Sequence, residues 1–243
     1  MTRGGGASDR ICLALDFPGA EEAVAFAKRF EGKARWFKVG LELFVAEGPS
    51  VVSLVAPYGE VFLDLKLHDI PNTVARAVGS AVRSGASMVN VHASGGRAMM
   101  AAAQEAAAAE ASRAGIAAPA VIAVTLLTSL DESSMHGLPF RGQPLEIVAE
   151  LARLAAEAGL DGVVCAAGDL EVVRRECGAA FLTVVPGIRP ASSEVGDQKR
   201  IATPAAAIAA GASLLVVGRP VTQAADPENA LHAIAMEIEA AGR

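Results

Sequence analysis

The sequence predicts a single-domain (β/α)8 barrel of the α/β class, the TIM barrel. Three observations carry this expectation. Short β-branched runs alternate strictly with longer Ala-rich amphipathic stretches, each kind of segment occurs eight times, and 243 residues suit eight such units. A doubly wound sheet usually has fewer.

The apolar runs are Ile11 to Asp16, Trp36 to Gly40, Val61 to Lys66, Met88 to His92, Ala120 to Thr125, Gly162 to Cys165, Phe181 to Val185 and Ser213 to Gly218. Each is too short for a helix and mostly apolar on both faces, as strands buried in a parallel sheet are. The helical stretches are Glu21 to Phe30, Pro49 to Tyr58, Pro71 to Gly85, Arg97 to Gly115, Pro144 to Gly159, Asp169 to Gly178, Thr203 to Gly211 and Pro227 to Ala241. Several open on Pro in the first turn and close at Gly, the asymmetry of helix ends. No linker interrupts the series. Residues 1–10 are expected to form a flexible N-terminal tail and residues 11–243 the barrel. The Gly4–Gly6 run is a weak match to a phosphate loop, because no strand precedes it.

Composition narrows the function classes. The chain is 52% hydrophobic and 4% aromatic, so its core is built from Ala, Val, Leu and Ile, with Ala about one residue in five. No apolar run reaches the roughly 18 residues of a membrane span, and Met1 to Arg10 lacks a signal-peptide pattern. Cys12, Cys165 and Cys177 are too few and too scattered for a disulfide framework or a zinc site, which points to the cytoplasm. A formal net charge of −6 argues against nucleic acid as the main partner.

A barrel of this class carries its chemistry on the loops after the strands. The segment Asp64-Leu65-Lys66-Leu67-His68-Asp69-Ile70-Pro71-Asn72-Thr73 is therefore the most informative. Period-two alternation puts Asp64, Lys66 and His68 on one face and Leu63, Leu65 and Leu67 on the other. Lys38 on the second strand falls beside Asp64, and the first strand ends at Asp16. One Lys–Asp pair would be an ordinary ion pair. Two lysines with two or three aspartates, converging on three neighbouring strand ends, are costly to bury unless the signs alternate. An ammonium at Lys66 is an acid able to deliver a proton, and a carboxylate beside it repels an anionic substrate group. That pairing suits expulsion of a carboxylate followed by protonation of the carbanion left behind.

The other end of the chain suggests a phosphate. Pro186-Gly187-Ile188-Arg189 follows the seventh strand and Val217-Gly218-Arg219-Pro220 the eighth, where such barrels often hold phosphate. Gly permits close backbone approach, Arg offers a bidentate fork, and Gln198 in the loop Ser192 to Arg200 adds an amide.

With Ala14-Leu15-Asp16-Phe17, Phe37-Lys38-Val39-Gly40 and Thr125 to Ser129, these motifs resemble the orotidine 5′-phosphate decarboxylase family over nearly the whole chain. The resemblance implies a cytoplasmic homodimer that makes uridine 5′-phosphate and carbon dioxide from orotidine 5′-phosphate. This is the last step of de novo pyrimidine nucleotide biosynthesis, and it uses neither metal nor organic cofactor. It implies Lys66 as proton donor to carbon 6, Asp64 against the departing carboxylate, and Lys38 and Asp16 on the ribose. Asp69 and Thr73 would reach into the partner's site, with Ile70 among the substrate-binding residues. Thr128 and Ser129 would contact the pyrimidine, and Arg189, Gln198, Gly218 and Arg219 the phosphate.

Two other readings stand beside it. Magnesium-dependent sugar-phosphate decarboxylases and aldolases look similar at Asp-x-Lys-x-x-Asp, and chelator sensitivity separates them. A non-catalytic phosphate-ligand binder would have no use for the charged cluster. His92 ends the fourth strand and either lines the pocket or makes a structural hydrogen bond, Cys165 packs, and His136 and His232 have no metal spacing around them.

Overall fold

The structure is a computed structural model that describes residues 6–130, 132–135, 137, 139–190 and 202–242. Eight parallel strands close into a barrel in sequence order: β1 (Ile11–Ala14), β2 (Trp36–Val39), β3 (Glu60–Leu67), β4 (Met88–His92), β5 (Ala120–Val124), β6 (Gly162–Val164), β7 (Leu182–Val185) and β8 (Leu214–Val217). The helices are α1 (Ala20–Arg29), α2 (Leu41–Glu47), α3 (Ser50–Val55), α4 (Pro71–Arg83), α5 (Gly96–Ala114), α6 (Glu132–Met135), α7 (Pro144–Glu157), α8 (Leu170–Cys177), α9 (Pro204–Ala209), α10 (Arg219–Thr222) and α11 (Pro227–Ala241).

Strand alternation sorts the apolar residues into two cores. Cys12, Ala14, Trp36, Phe62, Met88, Ile122, Val184, Leu214 and Val216 fill the barrel, and a larger set packs the strands against the helices. At Gly162 on β6 a Cβ would collide with the Leu182 carbonyl oxygen of β7. At the N-terminal ends of β7 and β8, the Arg174 guanidinium of α8 donates to the Phe181 and Gly211 carbonyls and to the Thr183 and Ser213 hydroxyls.

Three departures from the sequence reading have physical causes. Ala7–Arg10 is not a loose tail but a 3-10 turn on the barrel floor. Ala7 is buried, Arg10 Nη2 donates to the Ala212 carbonyl at 2.6 Å, and Asp9 pairs with Arg35 at 3.3 Å. Helix α2 was not anticipated. Its Leu and Ala residues favour helix, and Gly48 ends it at φ 69°, but Val45 is 80% exposed, so no amphipathic stripe announces it. Helix α10 is a single turn after β8, too short to carry a period.

Candidate active site

The inner face of each strand continues upward from the barrel core into the mouth. Above Cys12 and Ala14 stands Asp16; above Trp36, Lys38; above Phe62, Asp64; above Met88, Asn90 and then His92. The charged groups form one alternating chain. Lys38 Nζ lies 3.0 Å from Asp16 Oδ1 and 3.5 Å from Asp64 Oδ2, and Lys66 Nζ lies 2.7 Å from Asp64 Oδ1. Lys38 and Asp64 are sunk in the mouth, Lys66 is half-buried, and Asp16 opens to solvent.

Their electrostatics follow from that order. Burial alone would raise the Asp64 carboxyl pKa, but Lys38 and Lys66, with hydrogen bonds from Lys66 and Asn90, outweigh it and hold the pKa below the usual value. Burial alone would lower the Lys38 pKa, and Asp64 and Asp16 outweigh it in the opposite sense. Both groups are thus locked in their charged forms. Gly40 makes room for them, since a Cβ there would stand 2.8 Å from Lys38 Nζ and 3.3 Å from Asp16 Oδ1.

The third strand is irregular near its end. Its register against β4 shifts between Leu63 and Leu67, and Lys66 takes φ 52°, the one positive φ outside glycine among the described residues. His68 is exposed just beyond the end of β3 and packs on His92, ring centroids 5.4 Å apart. Burial lowers the His92 pKa, helped by His68 and Lys66 and opposed by Asp64. The leucines behave as expected. Leu63, Leu65 and Leu67 face outward against α4, around an apolar cavity of about 280 Å³.

The remaining predicted residues divide by location. Asp69 accepts from the Ile70 N–H at 2.6 Å and has no place in the ion-pair chain among the described residues; Asp69, Ile70 and Thr73 are all exposed, Ile70 by 67%. Thr128 and Ser129 lie in a turn beyond β5. Arg189 is buried after β7, its backbone N–H bonded to the Ala202 carbonyl at 2.9 Å, and Arg219 is exposed at the start of α10. Gly218 lies against Asp16, so the β8 loop adjoins the charged chain. Gln198 and His136 fall outside the described residues.

Sequence reasoning passed over Asn90. It is fully buried; its Nδ2 donates to Asp64 Oδ1 at 2.7 Å and its Oδ1 accepts from the Lys66 N–H at 2.8 Å. The available signal was a lone amide at the inward phase of an otherwise apolar run. Chemically, the assembled mouth offers a fixed ammonium beside a fixed carboxylate, with arginines at the loops after β7 and β8.

The chain as a whole is similar to known proteins. Residues 9–234 match the family model described as orotidine 5′-phosphate decarboxylase / HUMPS. An orotidine 5′-phosphate decarboxylase from Paramagnetospirillum magneticum is 50% identical over 94% of this chain and 97% of its own, and one from Halorhodospira halophila 51% identical over 96% and 97%. The crystal structure of the Lactobacillus acidophilus orotidine 5′-phosphate decarboxylase superposes with a TM-score of 0.83, at 36% identity over 95% of this chain and 99% of its own.

Proposed function

The chain belongs to the orotidine 5′-phosphate decarboxylase / HUMPS family, and we propose that its charged mouth does the family's decarboxylation through Lys66. The reaction converts orotidine 5′-phosphate to uridine 5′-phosphate and carbon dioxide, within pyrimidine biosynthesis. The observation that carries the assignment of residues is the alternating chain Asp16–Lys38–Asp64–Lys66 at the C-terminal ends of adjoining strands.

In this reading the bond from carbon 6 to the carboxylate breaks, carbon dioxide leaves, and the electron pair stays on carbon 6. The Lys66 ammonium stabilises that pair and then transfers a proton to it; water restores the lysine's proton. Because Lys66 is held at 2.7 Å from Asp64, its charge is in place before the reaction begins and costs no reorganisation. Asp64 faces the departing carboxylate. Asp16 and Lys38 hold the ribose, Thr128 and Ser129 the pyrimidine, and Arg189, Gln198, Gly218 and Arg219 the phosphate. Phosphate binding far from carbon 6 supplies binding energy for orienting the ring and excluding water. No cofactor takes part.

The enzyme works in the cytoplasm as a homodimer. Asp69, Ile70 and Thr73 are exposed, and Ile70, Leu41 and Val45 offer apolar surface that a second copy would cover. In this arrangement Asp69 and Thr73 complete the partner's site. No helix of the described residues is long and apolar enough to cross a membrane.

A spectrophotometric assay with orotidine 5′-phosphate tests the reading. Lys66→Ala is expected to lower kcat by at least about 10³-fold. Arg219→Ala loses a charge-assisted phosphate contact of about 1.5–3 kcal/mol and raises KM about 10- to 150-fold. Normal turnover by Lys66→Ala would sink the proton-donor assignment. Sensitivity to a chelator would favour the magnesium-dependent members of the family instead.

A further inference from the structure

We infer that Asn90 is a positioning residue of the decarboxylation, one amide that sets both the backbone of Lys66 and the carboxylate of Asp64; the inference rests on the decarboxylase reading above. The need for such a residue begins in the backbone. Lys66 sits at φ 52°, a conformation that is strained for an L-residue and persists only where neighbours enforce it. It sits there because β3 carries extra residues: Leu63 to Leu67 on β3 spans the same length of ladder as Val89 to Val91 on β4. The bulge takes the Lys66 N–H out of the regular ladder. Asn90 Oδ1 accepts that N–H at 2.8 Å, so the side chain supplies the acceptor that β4's backbone does not.

The other end of the same amide reaches the chemistry. Nδ2 donates at 2.7 Å to Asp64 Oδ1, the oxygen that also receives Lys66 Nζ at 2.7 Å. With Oδ1 so engaged, the carboxylate plane is fixed and Oδ2 is turned to Lys38 at 3.5 Å. Asn90 is 1% exposed, and its amide uses one donor and one acceptor in these two hydrogen bonds. A neutral donor–acceptor pair of that size is an amide, or a carboxylic acid while it keeps its proton.

That equivalence supplies a test that a merely structural amide would not pass. Asn90→Ala is expected to lower kcat about a hundredfold while KM for orotidine 5′-phosphate stays within about threefold, since the reacting groups and not the phosphate contacts are displaced. Asn90→Asp keeps both hydrogen bonds only while its carboxyl is protonated. Asp64 and Lys66 on β3, Lys38 on β2, and His92 on β4 with His68 against it surround this position. Among them Asp64 is nearest, and together with burial it opposes ionisation of the new acid. The kcat of Asn90→Asp should therefore approach wild type at low pH and fall as pH rises, a limb absent from the wild-type profile. Circular dichroism checks both variants, and Asn90→Asp decides alone if Asn90→Ala does not fold. Wild-type kcat in folded Asn90→Ala, or an Asn90→Asp profile parallel to wild type, overturns the inference while the parent enzyme remains active. A parent enzyme inert toward orotidine 5′-phosphate overturns the decarboxylase reading, and this role with it.

Discussion

Replacing Lys38 by Met tests the electrostatic account of the mouth without reference to turnover. The ammonium bridges Asp16 at 3.0 Å and Asp64 at 3.5 Å. At an effective dielectric near 20, a unit pair 3.5 Å apart attracts by about 5 kcal/mol. The Asp16 pair adds little, because that carboxylate is 55% exposed and screened by water. Against the attraction stands the cost of burying the ammonium, several kcal/mol, which the Met variant no longer bears. Breaking a buried pair usually costs about 3–5 kcal/mol. Here Asp64 keeps Lys66 and the Asn90 amide, each at 2.7 Å, so the expected net loss is about 2–3 kcal/mol. Trp36, the one tryptophan in the sequence, lies inside the barrel beneath Lys38 and reports unfolding by fluorescence. Urea titration at fixed protein concentration should show the midpoint lowered by about 1 M.

The pH dependence of that loss has a defined sign. The Asp64 pKa is held below 3.8, so its contribution is present above that pH and is lost as the pH falls through the folded-state value. The Lys38 pKa is held above 10.5, so its contribution is present below that pH and is lost as the pH rises through the folded-state value. The gap between wild type and Lys38→Met should be flat from about pH 5 to about pH 9 and shrink on both sides. An unchanged urea midpoint at pH 7, or a gap that persists undiminished at pH 2, would refute the account.

Two further outcomes follow from the same geometry. Gly40→Ala places a methyl 2.8 Å from Lys38 Nζ and 3.3 Å from Asp16 Oδ1. A flexible side-chain end can yield to it, so the thermal midpoint should hardly move while kcat/KM falls about tenfold, and an unaltered kcat/KM would show that the Lys38–Asp16 contact has no part in the reaction. Mixing Asp69→Ala with Lys66→Ala protein should restore about one quarter of wild-type activity if sites are shared, because half the dimers are mixed and each has one intact site. No recovery after demonstrated subunit exchange would place each complete site within one chain.

Alternation made most of the site legible. Asp64 and Lys66 are two apart in an apolar run, and Lys38 and Asp16 top the neighbouring runs, so period-two phase and strand order alone bring these groups together. The same rule does not bring His68 into the ion-pair chain, because β3 ends at Leu67 and His68 lies exposed beyond it, against His92. Asn90 was hidden for a different reason. Its value lies in serving the β3 bulge, and a bulge is a property of two strands in register, which no single run of residues displays. Helix α2 escaped because its exposed Val45 breaks the apolar stripe by which a surface helix is recognised. Ala7–Arg10 looked like tail because its anchors, Arg35 and Ala212, are distant in sequence.

The −6 net charge is uninformative about a site organised in this way, since the charges in the mouth cancel along the chain before they contribute to any total. Their order still carries information. Lys38 stands between two carboxylates and its side chain is 11% exposed, whereas Lys66 has Asp64 as its one ion-pair partner among the described residues and is 31% exposed. In the proposed mechanism Lys38 holds the ribose and the network, and gains from being enclosed. Lys66, which gives up its proton in each turnover of that mechanism, needs an open side toward substrate and a path by which water can return the proton. Placing the enclosed lysine on β2 and the open one on the bulge of β3 separates the two tasks, and the left-handed turn at Lys66 is the local feature that aims the second lysine.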